Sequence, residues 1–315
     1  MNYSKEKMIR VSKLYYEKDY NQQEVSDLMD MSRQTVGRIL EAARENGIVQ
    51  INVQDLNKKH YKELEQYIAE KFKLDQVIVE QIYDYSSESI RKALGSRGAE
   101  FLVNKIKKGQ TLACSWGRTL LEVVNVMEFV EKGVDVVQFN GALEQIYLDI
   151  NSSELARIMA DKLGGNSYHL HAPGIVDSKK IRDHILDDGT IKSVLNKAKN
   201  ADLAAIGIGA IKDSPLYTQD YIDKEHLEEL KDKGVIGDLC LRMFDSQGKF
   251  VKTSIDDRIV GVTMEELNQI DYVVGIAGGE NKVEAIKAVL QGDYLDVLIT
   301  DSYTASLLKD QIDIL

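Results

Sequence analysis

The sequence predicts a two-part protein: an N-terminal α-helical, winged helix-turn-helix, then a larger α/β domain on a mostly parallel sheet. Three observations predict it. A pair of capped, apolar-periodic helices with a tight turn between them fills Tyr20 to Val53. From Asp75 onward, apolar strand-like runs alternate with helical patterns, as in a parallel sheet covered by helices on both faces. Several of those runs stop at glycine, where such sheets bind ligands. The divisions fall at 1–54, a connecting segment at 55–73, and 74–315.

Within the first part, Lys5 to Tyr16 reads as a helix with Ile9, Leu14 and Tyr15 inward. Asn21 is an N-cap with Glu24 three residues on, the spacing of a capping box. Val25, Leu28 and Met29 then form an apolar face, and Ser26 is small enough for a second helix to approach. Asp30-Met31 breaks that helix and Ser32 caps the next, in which Val36, Ile39, Leu40 and Ala43 face inward. Gly47 ends it, and Ile48 to Val53 alternates like the strand of a wing. Gln22, Ser32, Arg33, Gln34, Thr35 and Arg38 remain on the outer side, the residue types that reach base edges and phosphates in a major groove. The expected partner is a double-stranded DNA operator. Residues 1–53 hold eight basic and eight acidic side chains, so one copy brings no net charge to DNA and a homodimer or homotetramer is expected.

Composition excludes several classes. The chain has 315 residues and a net charge of −11. Two cysteines, Cys114 and Cys240, are too few for a disulfide framework and read as buried thiols. No apolar run reaches membrane-spanning length and the start lacks a secretory core, so a cytoplasmic protein without membrane partners is expected. Leu64, Ile68 and Phe72 form a stripe in the connecting segment that fits either its own domain or a partner chain.

In the larger part, strand-like runs are expected at Val77–Val79, Thr111–Ser115, Val134–Phe139, Tyr168–Ala172, Ala201–Ile208, Tyr272–Ala277 and Leu295–Thr300. Helices are expected near 87–107, from Arg118, near 152–163, over 281–290 and over 303–310. Five strand ends carry candidate chemistry. Ser115-Trp116-Gly117-Arg118-Thr119 joins a strand to a helix start through glycine, an anion-binding arrangement. Asn140-Gly141 closes an apolar run with an amide able to bond a hydroxyl. Gly207 and Gly209 let backbone approach a ligand; Asp238 follows Gly237, with Asp256-Asp257 further on. Gly278-Gly279-Glu280-Asn281-Lys282 repeats the strand–glycine–helix pattern with a lysine. If these ends share one face of one sheet, the ligand is a small polyhydroxylated molecule carrying phosphate.

These segments, with IGDLCLRMFDSQG, DDRIVGV and AGGENKVEAIKAVLQG, resemble in order and spacing the SorC-type sugar-binding transcriptional regulators, including the deoxyribonucleoside-responsive branch, over nearly the whole chain. The resemblance implies an effector domain similar to sugar-phosphate isomerases and glucosamine-phosphate deaminases, paired subunits, and a phosphorylated sugar controlling operator binding. It implies that Ser115, Gly117, Arg118, Thr119, Gly278, Gly279 and Lys282 hold the phosphate, and that Asn140, Gly141, Gly207, Gly209, Asp238 and Asp257 line the sugar. The branch that binds phosphorylated deoxyribose carries a Schiff-base lysine where this chain has Asn140, which has no nucleophilic amine, so a non-covalent effector is expected.

No cofactor, metal or catalytic residue is expected. The competing reading is a sugar-phosphate isomerase or deaminase with an appended helix-turn-helix, using Asp238, Asp256 or Asp257 as acid or base. The five histidines show no cluster at the glycine turns; His169 and His171 share a face with no third ligand evident.

Overall fold

A computed structural model describes residues 3–49, 58–142, 152–212 and 224–313. The chain divides into two units, Met1–Asn57 and Lys58–Leu315. The smaller begins with α1 (Lys5–Ser12), capped by the Ser4 hydroxyl, which accepts the Lys7 N–H at 3.3 Å. A π-helical turn (Lys13–Glu17) follows. Asn21 caps α2 (Gln22–Leu28): its Oδ1 accepts the N–H groups of Gln23 and Glu24, while Glu24 accepts the Asn21 N–H at 2.8 Å. Ser32 caps α3 (Arg33–Glu45) by accepting the Thr35 N–H at 3.1 Å. Between the two, Asp30 adopts a left-handed φ of 47°.

Val11, Val25, Val36, Ile39, Leu40 and Ala43 close a small core, with Leu14 and Tyr15 packed against it. Ile9 faces outward instead, because Met8, Val11 and Tyr15 form the inward i, i+3, i+7 stripe and Ile9 lies roughly 100° round from it. Leu28 is also exposed, since Val25, Ser26 and Met29 make the packed face of the short α2. Ser26 is buried, and its hydroxyl donates to the Met31 carbonyl at 2.5 Å, so it ties the turn as well as sparing volume. Ile48 and Val49 pack on this core, whereas 50–53, most of the expected wing, lies outside the described residues.

The larger unit opens with α4 (Lys58–Phe72) and β1 (Gln76–Glu80). Then come α5 (Ser87–Lys105), β2 (Thr111–Cys114), α6 (Arg118–Val126), β3 (Asp135–Gln138), α7 (Ser152–Leu163) and β4 (Ser167–Tyr168). The middle holds α8 (Lys179–Asp187), α9 (Gly189–Lys199), β5 (Leu203–Ile206), β6 (Gly209–Ala210), α10 (Lys224–Asp232), β7 (Val235–Leu239) and β8 (Arg242–Asp245). The last elements are α11 (Met264–Leu267), β9 (Val273–Ile276), α12 (Val283–Gln291), β10 (Val297–Asp301) and α13 (Ser302–Asp313).

Seven parallel strands order as β1-β10-β9-β5-β2-β3-β4. Alternate residues feed two cores. Val77, Ala113, Val137, Ala204 and Leu298 meet α4, α9, α12 and α13, whereas Ile78, Leu112, Val136, Ala205 and Ile299 meet α5, α6 and α7. That is the two-faced burial expected of a parallel sheet. Leu64 and Ile68 of α4 are buried in the first core, so the stripe in the connecting segment packs on its own unit. Glu65 of α4 accepts the Val79 N–H at 2.9 Å, satisfying the edge strand β1.

One expectation is corrected. Gly237 and Asp238 do not end a strand of the main sheet; they lie within β7, the middle strand of a separate antiparallel sheet ordered β6-β7-β8. Gly237 is required there because a Cβ would stand 2.3 Å from the Gly209 carbonyl oxygen. Helices α8, α9 and α10 were likewise not expected from the pattern; Asp188 both follows α8 and caps α9, accepting the Thr190 N–H at 2.8 Å.

Candidate functional site

In the smaller unit, Arg33, Gln34 and Arg38 are exposed along α3, and Gln22 is half-buried at the start of α2. Ser32 and Thr35 are engaged locally: the two hydroxyls lie 2.8 Å apart and serve the helix cap. The long side chains of α3 therefore form the free outer face, with the hydroxyls ordering its first turn.

In the larger unit, a cavity of about 410 Å³ opens where β2, β5 and β9 end. Its lining unites Ser115, Gly117, Arg118, Thr119, Gly207, Gly209, Asp238, Gly278, Gly279 and Lys282, ten of the thirteen residues named for phosphate and sugar. The volume lies in the range of small-molecule sites. Three cations (Arg91, Arg118, Lys282) face two carboxylates (Asp238, Glu280).

The two glycine turns differ. Gly117, at φ 144°, precedes α6 and no side chain caps that helix, so its first-turn amides are not blocked from their own N-cap. Ser115 is buried beside them, and its hydroxyl accepts the Gly207 N–H at 3.1 Å, joining two strand ends. At the other turn Gly279, at φ 103°, directs its N–H away from the cavity, to Asp301 Oδ2 at 2.9 Å and Thr304 Oγ1 at 2.7 Å. Lys282 Nζ donates to the Ile208 carbonyl at 2.8 Å, reaching across to the end of β5.

Asn140, Gly141 and Asp257 do not line the cavity. Asn140 is buried behind its wall and donates through Nδ2 to the Cys240 carbonyl at 2.7 Å; its Oδ1 has no partner among the described residues. Gly141 admits the neighbouring chain, for a Cβ would stand 2.3 Å from the Ala172 carbonyl oxygen. Asp257 sits in a single helical turn 3.7 Å from Lys252, and Asp256 pairs with the buried Arg242 at 2.5 Å. Of the three aspartates, only Asp238 faces the cavity; a Cβ on Gly209 would lie 2.1 Å from its Oδ1.

Tyr85, Ser87, Ile90 and Arg91 were missed. They follow β1, an apolar run with no glycine at its end, so the one signal available was position beyond a parallel strand. Trp116 and Cys240 also line the cavity. Both cysteines are buried, and burial pushes the Cys114 thiol up to about 12 and Cys240 also upward. The His169 and His171 rings stand 5.8 Å apart, and burial, then the neighbouring His171, lowers the His169 pKa. Among the described residues no group of three or more His, Cys, Asp or Glu is arranged to hold a metal ion, and no helix is long and apolar enough to cross a membrane.

In chain order, a helix-turn-helix unit precedes a parallel-sheet unit with a cavity at its strand ends, and the comparisons identify both. The family model of the sugar-binding domain (Sugar-bind) matches residues 57–308. The chain is 31% identical over 311 residues to the deoxyribonucleoside regulator of Bacillus subtilis (strain 168), covering 96% of this chain and 97% of that one. It is 29% identical over 310 residues to the sorbitol operon regulator of Klebsiella pneumoniae, with 96% of each covered. The crystal structure of the full-length sorbitol operon regulator SorC from that organism matches with a TM-score of 0.79 at 27% identity, over 98% of this chain and 99% of that one. The chain belongs to the SorC-type sugar-binding transcriptional regulators, and these relatives are regulators rather than enzymes.

Proposed function

We propose that this regulator controls genes of carbohydrate or nucleoside breakdown and responds to a phosphorylated sugar held non-covalently in the cavity. One observation carries the reading: the uncapped first turn of α6, with Ser115, Arg118 and Thr119, opens into the same cavity as Lys282 and Asp238. The α6 turn suits the phosphate, and Asp238, set behind Gly207 and Gly209, suits sugar hydroxyls. Lys282 adds a cation opposite the turn. Asn140 acts from behind by fixing Cys240, and no lysine stands at its position.

Arg33, Gln34 and Arg38 read the operator, with Ser32, Thr35 and Gln22 ordering the approach. The balanced charge of residues 1–53 calls for two or more copies on the DNA. The test uses full-length protein and a panel of pentose, hexose and hexitol monophosphates. Trp116, the one tryptophan in the sequence, lines the cavity and reports binding by fluorescence. A saturating ligand is expected to raise the melting temperature, since it binds the folded state, and to change anisotropy-measured affinity for an operator selected from random duplexes. Borohydride treatment is expected to leave no mass adduct. No response to any sugar phosphate defeats the reading; an adduct defeats its non-covalent part.

A further inference from the structure

We infer that α13 carries the state of the cavity to α4, the helix through which the chain leaves the DNA-binding unit; this rests on the cavity being the effector site. The first turn of α13 holds both loops of one cavity wall. Asp301, fully buried, accepts the Gly279 N–H at 2.9 Å and fixes Thr304 through its N–H at 2.8 Å and its hydroxyl at 2.6 Å. Ser302 accepts the Ile82 N–H at 3.3 Å, at the root of the loop bearing Tyr85. The Tyr303 ring lies 4.9 Å from that of Tyr85, and its hydroxyl reaches Glu280 at 3.5 Å.

The far end of the same helix holds α4. The Tyr67 hydroxyl donates to Asp313, and Lys309 Nζ lies 5.8 Å from the Tyr67 ring centroid. Twelve residues of α13 span about 18 Å between these ends. Ala305, Leu308 and Ile312 are buried along its length, so close packing moves the helix as a body rather than letting it deform. Glu65, two residues before Tyr67, is fixed to the edge strand at Val79 and supplies a pivot.

A phosphate at the α6 turn draws Lys282 across the cavity from the Ile208 carbonyl, and with it the Gly279 turn that Asp301 and Thr304 hold. Ligand occupancy and the seating of α13 are thereby linked, which is what a differential affinity for two arrangements requires. Displacement at Asp313 tilts α4 about Glu65.

The experiment compares the full-length protein with Tyr67→Phe and Asp313→Ala, using the sugar-monophosphate panel, Trp116 fluorescence and operator anisotropy. Both variants are expected to bind sugar within about twofold of the parent while the ratio of operator affinities with and without sugar falls about fivefold, the worth of one solvent-exposed hydrogen bond. The double variant is expected to lose no more than either single one, because both remove the same bond. Lys309→Gln gives a smaller loss and serves if either variant fails to fold. An unchanged ratio in variants that still bind sugar overturns the coupling and leaves the effector site standing. A parent protein that responds to no sugar phosphate by either readout overturns the effector site, and the coupling with it.

Discussion

The turns at Ser115–Thr119 and Gly278–Lys282 read alike: each follows a parallel strand, turns at a glycine of positive φ, and leads into a helix. In three dimensions they are opposites. The first opens an uncapped helix start to the cavity. The second spends its Gly279 N–H on a buried carboxylate and threonine. The difference originates outside both turns, in the Asp301–Thr304 pair more than twenty residues downstream. One pattern thus yields a site that receives an anion and a site already occupied by one of the protein's own.

Substitutions can break or sharpen this contrast. The largest effect is expected at Gly278→Ala, whose Cβ would lie 2.1 Å from Asp301 Oδ2 and 2.9 Å from Leu94 Cδ1. Overpacking of that kind costs about 1–3 kcal/mol, read as a lower denaturant midpoint. Asp301→Asn puts an amide donor among the N–H and O–H donors of Gly279 and Thr304, at about 1–3 kcal/mol; an unchanged denaturant midpoint would mean that the turn does not depend on this acceptor. Gly117→Ala meets nothing within 4 Å, so its loss comes from the rare φ of 144° alone, about 1–3 kcal/mol for such strain. It is expected to weaken sugar-phosphate binding, and unchanged binding would argue against the α6 turn as the anion site. Ser115→Ala removes the acceptor of the Gly207 N–H and is expected to cost about 1 kcal/mol.

The smallest effect lies far from both turns. Burial pushes the Asp135 carboxyl up, but Lys197, Asn166 and Tyr168 together hold it below its ordinary value. A depressed carboxylate contributes stability that is present above its unfolded pKa and lost as pH falls through the folded one. Asp135→Asn is therefore expected to lower stability slightly near neutrality and to flatten its fall below about pH 4, so that parent and variant converge in acid.

Much of this was legible in the sequence because it is local. Asn21 and Ser32 announce helix starts, since a short acceptor three residues before a free N–H needs no distant partner. The apolar runs announce a two-faced sheet for the same reason. Asn140, Gly141 and Asp257 stand outside the cavity lining because each answers to another group, Cys240, Ala172 and Lys252, that the sequence pattern does not mark. The antiparallel sheet escaped notice because β6 has two residues and its glycines serve close backbone approach. Arg91 escaped because no punctuation marks the end of β1.

The sheet order also sets a timetable. Among the described residues, strand β1 pairs with β10 and with no other strand, a partner some 220 residues further along the chain. At roughly 5–20 residues per second of synthesis, Val77, Ile78 and Val79 wait on the order of tens of seconds for their neighbour. Until then α4, fourteen residues back at Glu65, and α5, which packs on Ile78, are the near elements that can shelter them. The helix assigned here to carrying a signal in the finished protein would then also guard the nascent one against sticking to its neighbours.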